Sequence, residues 1–242
     1  MPLVRYVKSP PPKPKNPAVS RSFYISMVLI GISAVGFAIY PIVVWQISTL
    51  PKLTAKVEKF PIPSSQVLSS PKMLESVDVI KNEDGFSYFE PKSDANFLTS
   101  LSTLHRPEEF FISVPKISIK NARVAVDSTK FQKYLAHFPG TAIPGEVGNS
   151  FITGHSILPQ FADPQNYLAI FTNLSKLEIG DDIEISLSGK TLHYVVQYSK
   201  VVDPKDTSVL LPISKSGKNL TLMSCVPPGT SLKRLVVVTS LI

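Results

Sequence analysis

The chain divides by the spacing of its apolar residues into three unlike stretches. Between Ser22 and Pro51 there is no charged residue, and Phe23 to Trp45 forms an apolar run. As a helix this run is about 35 Å long at roughly 1.5 Å per residue, enough to cross a hydrocarbon core of about 30 Å. From residue 49 to 107 no period is sustained, and Pro51, Pro61, Pro63, Pro71 and Pro91 punctuate polar sequence, the pattern of a linker or stalk. From Phe110 onward short runs alternate. Ile117 and Ile119, then Ala122, Val124 and Val126, recur at period two with an offset between them; Ile183, Ile185 and Leu187 alternate with Asp182, Glu184 and Ser186. Leu192, Tyr194, Val196 and Tyr198 continue one apolar face after a turn at Ser188, Gly189 and Lys190, and Leu220 to Cys225 and Leu235 to Thr239 add two more strands.

Helical spacing is scarce in this last part. Tyr167, Phe171 and Leu174 fit one face of a short helix closed by Gly180, and Phe131 with Leu135 fits another capped by Ser128. Many short strands with one or two short helices predict a mainly-β barrel or sandwich. The expected organisation is a basic cytoplasmic tail at 1–22, a transmembrane helix at 23–48, an extracytoplasmic linker at 49–107 and a catalytic domain at 108–242.

Charge changes the picture only in one respect. The formal net charge is +7, but Arg5, Lys8, Lys13, Lys15 and Arg21 all precede the apolar run. That excess favours a cytoplasmic amino terminus and an exported carboxy-terminal domain, a single-pass protein of the cell membrane. No recognition helix, zinc spacing or aromatic-interleaved signature accompanies the basic residues, so no nucleic-acid partner is expected. The apolar run is longer than the apolar region of a cleaved signal peptide, about 7 to 15 residues, and predicts a retained anchor. With one cysteine the chain has no intramolecular disulfide, and a lone thiol in an exported domain is a liability unless it is buried or used.

That thiol, Cys225, ends one strand, and Arg234 begins the next after a connection containing Pro227, Pro228 and Gly229. Antiparallel pairing brings residues at the mouth of such a loop together, which sets a guanidinium beside a thiol. A positive neighbour increases the thiolate fraction, and the thiolate is the nucleophile. Gly148 to Thr153 runs as a strand into Gly154 and His155; His is the commonest general acid/base, and Gly permits close approach. His137, ahead of Phe138-Pro139-Gly140-Thr141, is its only competitor, since His105 lies at the linker edge and His193 in an alternating strand. No histidine and cysteine spacing matches a zinc site, so neither a metal nor any other cofactor is expected. A papain-like enzyme has its Cys before its His, the reverse of the order here.

These residues resemble the sortase family. Thr153-Gly154-His155 is similar to the family's His motif, and Thr221-Leu222-Met223-Ser224-Cys225 followed by Arg234 to its T-L-x-T-C…R signature, with Ser224 where Thr is usual. Further likeness lies in Val114-Pro115-Lys116-Ile117, His137 to Gly145, Phe171-Thr172-Asn173-Leu174 with Gly180-Asp181, and Asp203 to Ser208. The step from Cys225 to Arg234 is similar to that of class C, pilin-type sortases, without an evident Asp-Pro-aromatic lid motif.

The resemblance implies an eight-stranded β-barrel acting on a sorting motif similar to Leu-Pro-x-Thr-Gly. In that reading Cys225 attacks the Thr carbonyl, His155 protonates the leaving amine, and Arg234 stabilises the oxyanion or positions the substrate. Ser224, Thr153 and His137 are expected as substrate-binding or oxyanion support. The implied partners are sorting-signal-bearing surface proteins or pilins and an amine acceptor, a cell-wall precursor or a pilin lysine. The alternatives are a catalytically inactive, membrane-tethered β-barrel that binds surface polymers, and a thiol hydrolase whose acceptor is water.

Overall fold

The computed structural model describes residues 21–49, 51, 77–81, 87–91, 106–214 and 216–242. The uncharged run forms helix α1, Arg21–Ser48, which continues through Pro41. Proline removes one backbone donor, but a helix with several turns on either side retains its remaining bonds. By length and composition α1 can cross a membrane.

Part of the stretch expected as linker is ordered. β1 (Val77–Lys81) and β2 (Ser87–Pro91) pair as an antiparallel hairpin. Its Phe89 is buried, with ring centroids 6.2 Å from Phe138 and 6.0 Å from Phe151.

The alternating runs become eight strands: β3 (Glu109–Val114), β4 (Ile119–Ala125), β5 (Leu135–His137), β6 (Gly148–Thr153), β7 (Asp182–Leu187), β8 (Lys190–Val202), β9 (Lys218–Val226) and β10 (Lys233–Leu241). They close into a barrel in the order β10-β8-β7-β3-β4-β5-β6-β9, so the barrel carries no free edge. β4 with β5 and β6 with β9 are parallel pairs, and the other neighbours are antiparallel. One set of alternating side chains fills the interior, among them Phe110, Ile112, Val124, Ile152, Ile185, Leu222 and Val237. Burying each removes about 1.5 to 3 kcal/mol of unfavourable hydration. The opposite faces of β6, β9 and β10 carry Phe151, Met223, Val236 and Val238, which pack with Phe89, Phe138, Val209 and Leu210 in a second apolar cluster.

Three local expectations need correction. Ile117 lies in a 3-10 turn, Pro115–Ile117, closed by Ser118 in the left-handed region at φ 61°, so it does not share a strand with Ile119. The expected offset between Ile119 and Ala122 is present: the register passes from Val114 opposite Ile119 to Ile112 opposite Ala122, with Asn121 at φ 47°. The two expected short helices do not form as such. Phe131 and Leu135 are not on one helix, because Leu135 belongs to β5; after Phe171 there is only a 3-10 turn, Leu174–Lys176, and Gly180 occupies a separate turn at φ 93°. Finally, Tyr198 leaves the face of Tyr194 and Val196. The register passes from Tyr198 opposite Val238 to Val196 opposite Thr239, leaving Gln197 as an extra residue, and Tyr198 joins the outer cluster.

Candidate active site

β9 is the strand on which two pairings meet. On one side Arg234 of β10 is the direct cross-strand partner of Cys225. Alternation puts both on the outer face, since Met223, two residues before Cys225, and Val236, two after Arg234, belong to the outer cluster. On the other side β6 runs parallel to β9 with Thr153 opposite Met223. β6 ends there, and the chain passes on through Gly154 to His155 alongside the end of β9.

The chain around His155 is held to that line by four bonds. The Gly154 N–H donates to the Met223 carbonyl at 3.1 Å, and Ser156 Oγ donates to the Cys225 carbonyl at 2.7 Å. The His155 carbonyl accepts from the Phe171 N–H at 3.0 Å, and the Ile157 N–H donates to Thr172 Oγ1 at 3.0 Å. Phe131 lies over the imidazole, with ring centroids 4.3 Å apart. Gly154 is required by close packing: a Cβ there would stand 2.6 Å from both Leu135 Cδ2 and Phe171 Cδ2.

Arg234 is buried at 2% exposure, and its Nη1 donates to the Ser231 and Lys233 carbonyls at 3.0 Å each. The guanidinium thus tethers the loop between Cys225 and itself. That loop also touches the segment after His155: a Cβ on Gly229, at φ 82°, would lie 2.9 Å from Leu158 Cγ.

The electrostatics of the pair are opposed by burial. Desolvation pushes the Cys225 thiol up, and the Arg234 charge pulls it part of the way back. Desolvation holds the His155 imidazole below its ordinary value. Both shifts favour the neutral thiol with the neutral imidazole in the resting protein.

Of the supporting residues expected from sequence, Thr153 lies on this face. It lines a groove with Phe89, Phe131, Ala136, Phe138, Met223, Ser128 and Thr129. Ser224 and His137 do not. Ser224 has the parity of Leu222 and Val226, which face the barrel interior, so its buried hydroxyl is on the opposite side of β9 from the thiol. Among the described residues Ser224 Oγ has no hydrogen-bond partner.

His137 is fully buried, its ring 6.0 Å from that of the interior Phe110. Nε2 lies 2.9 Å from the Ala142 carbonyl and 3.0 Å from Thr141 Oγ1, so it pins the turn after β5. Desolvation lowers its pKa to about 4. Asp127 stands 3.8 Å from Nδ1 and is itself paired with Arg106 at 3.4 Å.

Phe131, Ser156 and Thr172 also surround His155 and its neighbours, and no period or spacing in the sequence marks them. His105 lies outside the described residues. Among those described, Asp182, Glu184 and His193 are the one group whose metal-capable atoms lie within 4.8 Å of one another. They sit on the β7–β8 hairpin, which β10 separates from β9.

The fold and these motifs fit one family. A sortase domain model matches residues 112–242, more than half of the chain, and the chain belongs to the sortase family. Sortase D of Bacillus subtilis (strain 168) is 25% identical over 130 residues, covering 52% of this chain; the matched region spans 60% of that relative's length. A lid mutant of sortase A from Corynebacterium diphtheriae is 29% identical at a TM-score of 0.50, covering 63% of this chain and 82% of that one. Sortase C-1 from Actinomyces oris, 23% identical at a TM-score of 0.54, covers 80% of this chain and 98% of its own, a likeness of fold.

Proposed function

We propose that this chain is a membrane-anchored transpeptidase that cleaves a sorting motif similar to Leu-Pro-x-Thr-Gly and passes the acyl part to an amine. The observation that carries this reading is what meets at the end of β9: Arg234 is opposite Cys225 on one side, and on the other the bonds from Gly154 to Met223 and from Ser156 to Cys225 hold the chain on either side of His155. Family membership supports the same reaction class.

The chemistry follows from the groups present. The Cys225 thiol gives its proton to His155, and Sγ adds to the Thr carbonyl carbon of the substrate. Arg234 lowers the cost of the negative charge that gathers on the carbonyl oxygen. The C–N bond breaks as the imidazolium returns the proton to the leaving Gly amine, leaving a thioester on Cys225. An incoming amine loses a proton to His155 and displaces the sulfur. The thioester conserves the acyl reactivity of the peptide bond, so no nucleotide is consumed.

Because burial favours the neutral pair, the ion pair that attacks is the minor form at neutral pH, and Arg234 counteracts part of that deficit. Thr153, in the groove that Met223 also lines two residues before the thiol, is the supporting residue whose place suits contact with the substrate backbone. Helix α1 serves as the anchor, with the basic amino terminus cytoplasmic and the barrel outside. The partners are surface proteins or pilins that carry the sorting motif, with a cell-wall precursor or pilin amine as acceptor.

The test is an internally quenched peptide carrying the motif, incubated with the protein and triglycine. The expected product is the peptide joined through its Thr to triglycine, absent with Cys225→Ala. Equal product from Cys225→Ala defeats the assignment, and a product ending only in free acid assigns the chain as a thiol hydrolase.

A further inference from the structure

In the parallel β6–β9 ladder, the Gly154 N–H donates to the Met223 carbonyl, and the next bond of that series runs from the Ser156 N–H to the Cys225 carbonyl. β6 ends at Thr153, and the chain turns away. Its departure is visible in the Ile157 N–H, which donates to Thr172 Oγ1 on another segment. At the rung where the ladder has run out, the donor to the Cys225 carbonyl is Ser156 Oγ, at 2.7 Å. Ser156 is 6% exposed, so water competes little for this bond.

One side-chain bond therefore continues the register across the very residues it serves. It joins the residue after His155 to the main chain of Cys225 itself. We infer that Ser156 is a positioning residue that fixes the separation of the His155 imidazole and the Cys225 sulfur by clamping their two backbones together. It touches no reacting atom. Its effect passes through His155, whose own carbonyl is held from the far side by the Phe171 N–H. Without the hydroxyl, the segment 155–157 keeps its anchors on Phe171 and Thr172, and on the β9 side only the Gly154–Met223 bond one residue earlier remains. The imidazole then follows the 171–172 segment rather than the thiol. Proton transfer between Sγ and the ring is sensitive to such a change, because a misplacement of about 1 Å can cost on the order of a hundredfold in rate.

The inference rests on the transpeptidase reading, and its test separates the two. The full chain is compared with Ser156→Ala, Ser156→Thr and His155→Ala in two measurements: turnover of the quenched peptide with triglycine, and the rate of Cys225 alkylation by iodoacetamide across pH. Ser156→Ala is expected to lower kcat by about tenfold with KM within about twofold, and Ser156→Thr, which keeps the hydroxyl, to restore most of it. The alkylation profile of Ser156→Ala is expected to move from that of the wild type toward that of His155→Ala, while Ser156→Thr stays with the wild type. If the wild type turns over no peptide, the transpeptidase reading fails, and the alkylation profiles still report whether Ser156 holds the imidazole at the sulfur. An alkylation profile for Ser156→Ala that coincides with the wild type overturns the inference, as does a Ser156→Thr protein that behaves like Ser156→Ala.

Discussion

Arg234 is the cross-strand partner of Cys225, and its guanidinium, almost wholly buried, grips the Ser231 and Lys233 carbonyls of the loop that joins them. One side chain thus supplies charge to the thiol and order to the loop above it. Lysine keeps the charge but not the planar fork. Arg234→Lys is expected to lower kcat/KM of peptide transfer by about a hundredfold, within the range for loss of an oxyanion donor. A Lys variant within threefold of the wild type would show that charge alone suffices.

The pH behaviour follows from two opposed displacements. Burial raises the Cys225 thiol above its ordinary value and holds His155 below its own. Alkylation of Cys225 by iodoacetamide, which requires thiolate, is therefore expected to be still rising at about pH 9. Transfer activity is expected to follow a broad bell, its acid limb below the ordinary imidazole range and its alkaline limb above the ordinary thiol range. Both limbs belong to the coupled pair rather than to either residue. An alkylation rate that has levelled by about pH 6 contradicts this picture.

The buried ring of His137 is expected to make itself felt in stability. Its pKa is lowered to about 4 in the folded protein, against an unfolded value of 6.5. Between these values the unfolded chain binds the extra proton, so the contribution is whole above pH 6.5 and is lost as pH falls toward about 4. The full difference amounts to about 3 kcal/mol. Urea denaturation of the wild type and His137→Gln at pH 7 and pH 4.5 checks it. The wild type is expected to be the more stable at pH 7, with its advantage shrinking by about 2 kcal/mol at the lower pH. A constant advantage at the two pH values would contradict the burial of a neutral ring.

The juxtaposition of Cys225 and Arg234 was legible in the chain because it is a matter of strand pairing. A Cys at the end of one apolar run and an Arg at the start of the next require only an antiparallel hairpin to meet, and they do. The period-two runs likewise mark a mainly-β barrel or sandwich, and the family resemblance implies the eight-stranded closure that the fold shows. Strand parity, visible in the same run, also shows that Ser224 cannot share a face with Cys225; the likeness of the motif drew attention to its hydroxyl instead. The burial of His137 is not legible for a different reason. A fully buried histidine and an exposed one look alike in sequence when the residues that satisfy it, here Thr141 and the Ala142 carbonyl, lie in a turn without a period. The bulge at Gln197 has no mark of its own, and the helical spacing of Tyr167, Phe171 and Leu174 was lost to tertiary demands on that segment. Phe171 and Thr172 spend backbone and side chain on His155 and Ile157.

Gly154 makes the same point through packing. A methyl group there would meet Leu135 and Phe171 at 2.6 Å, closer than atoms pack without a shift. Gly154→Ala is expected to destabilise the fold by about 1 to 3 kcal/mol, as over-packing does, and to reduce transfer more than the loss of folded protein explains. Thermal denaturation beside kcat measured on the folded fraction separates the two effects. Unchanged stability would mean that Leu135 and Phe171 yield freely.

Sulfur, imidazole and guanidinium are proposed to act as one unit at the end of β9. Intact-mass analysis of the full chain mixed with a sorting peptide and no acceptor amine tests this most directly. The wild type is expected to gain the mass of the acyl fragment on Cys225, an adduct discharged by added triglycine and formed far more slowly by His155→Ala. Peptide cleavage without any adduct on Cys225, or an adduct that forms equally fast without His155, contradicts the account.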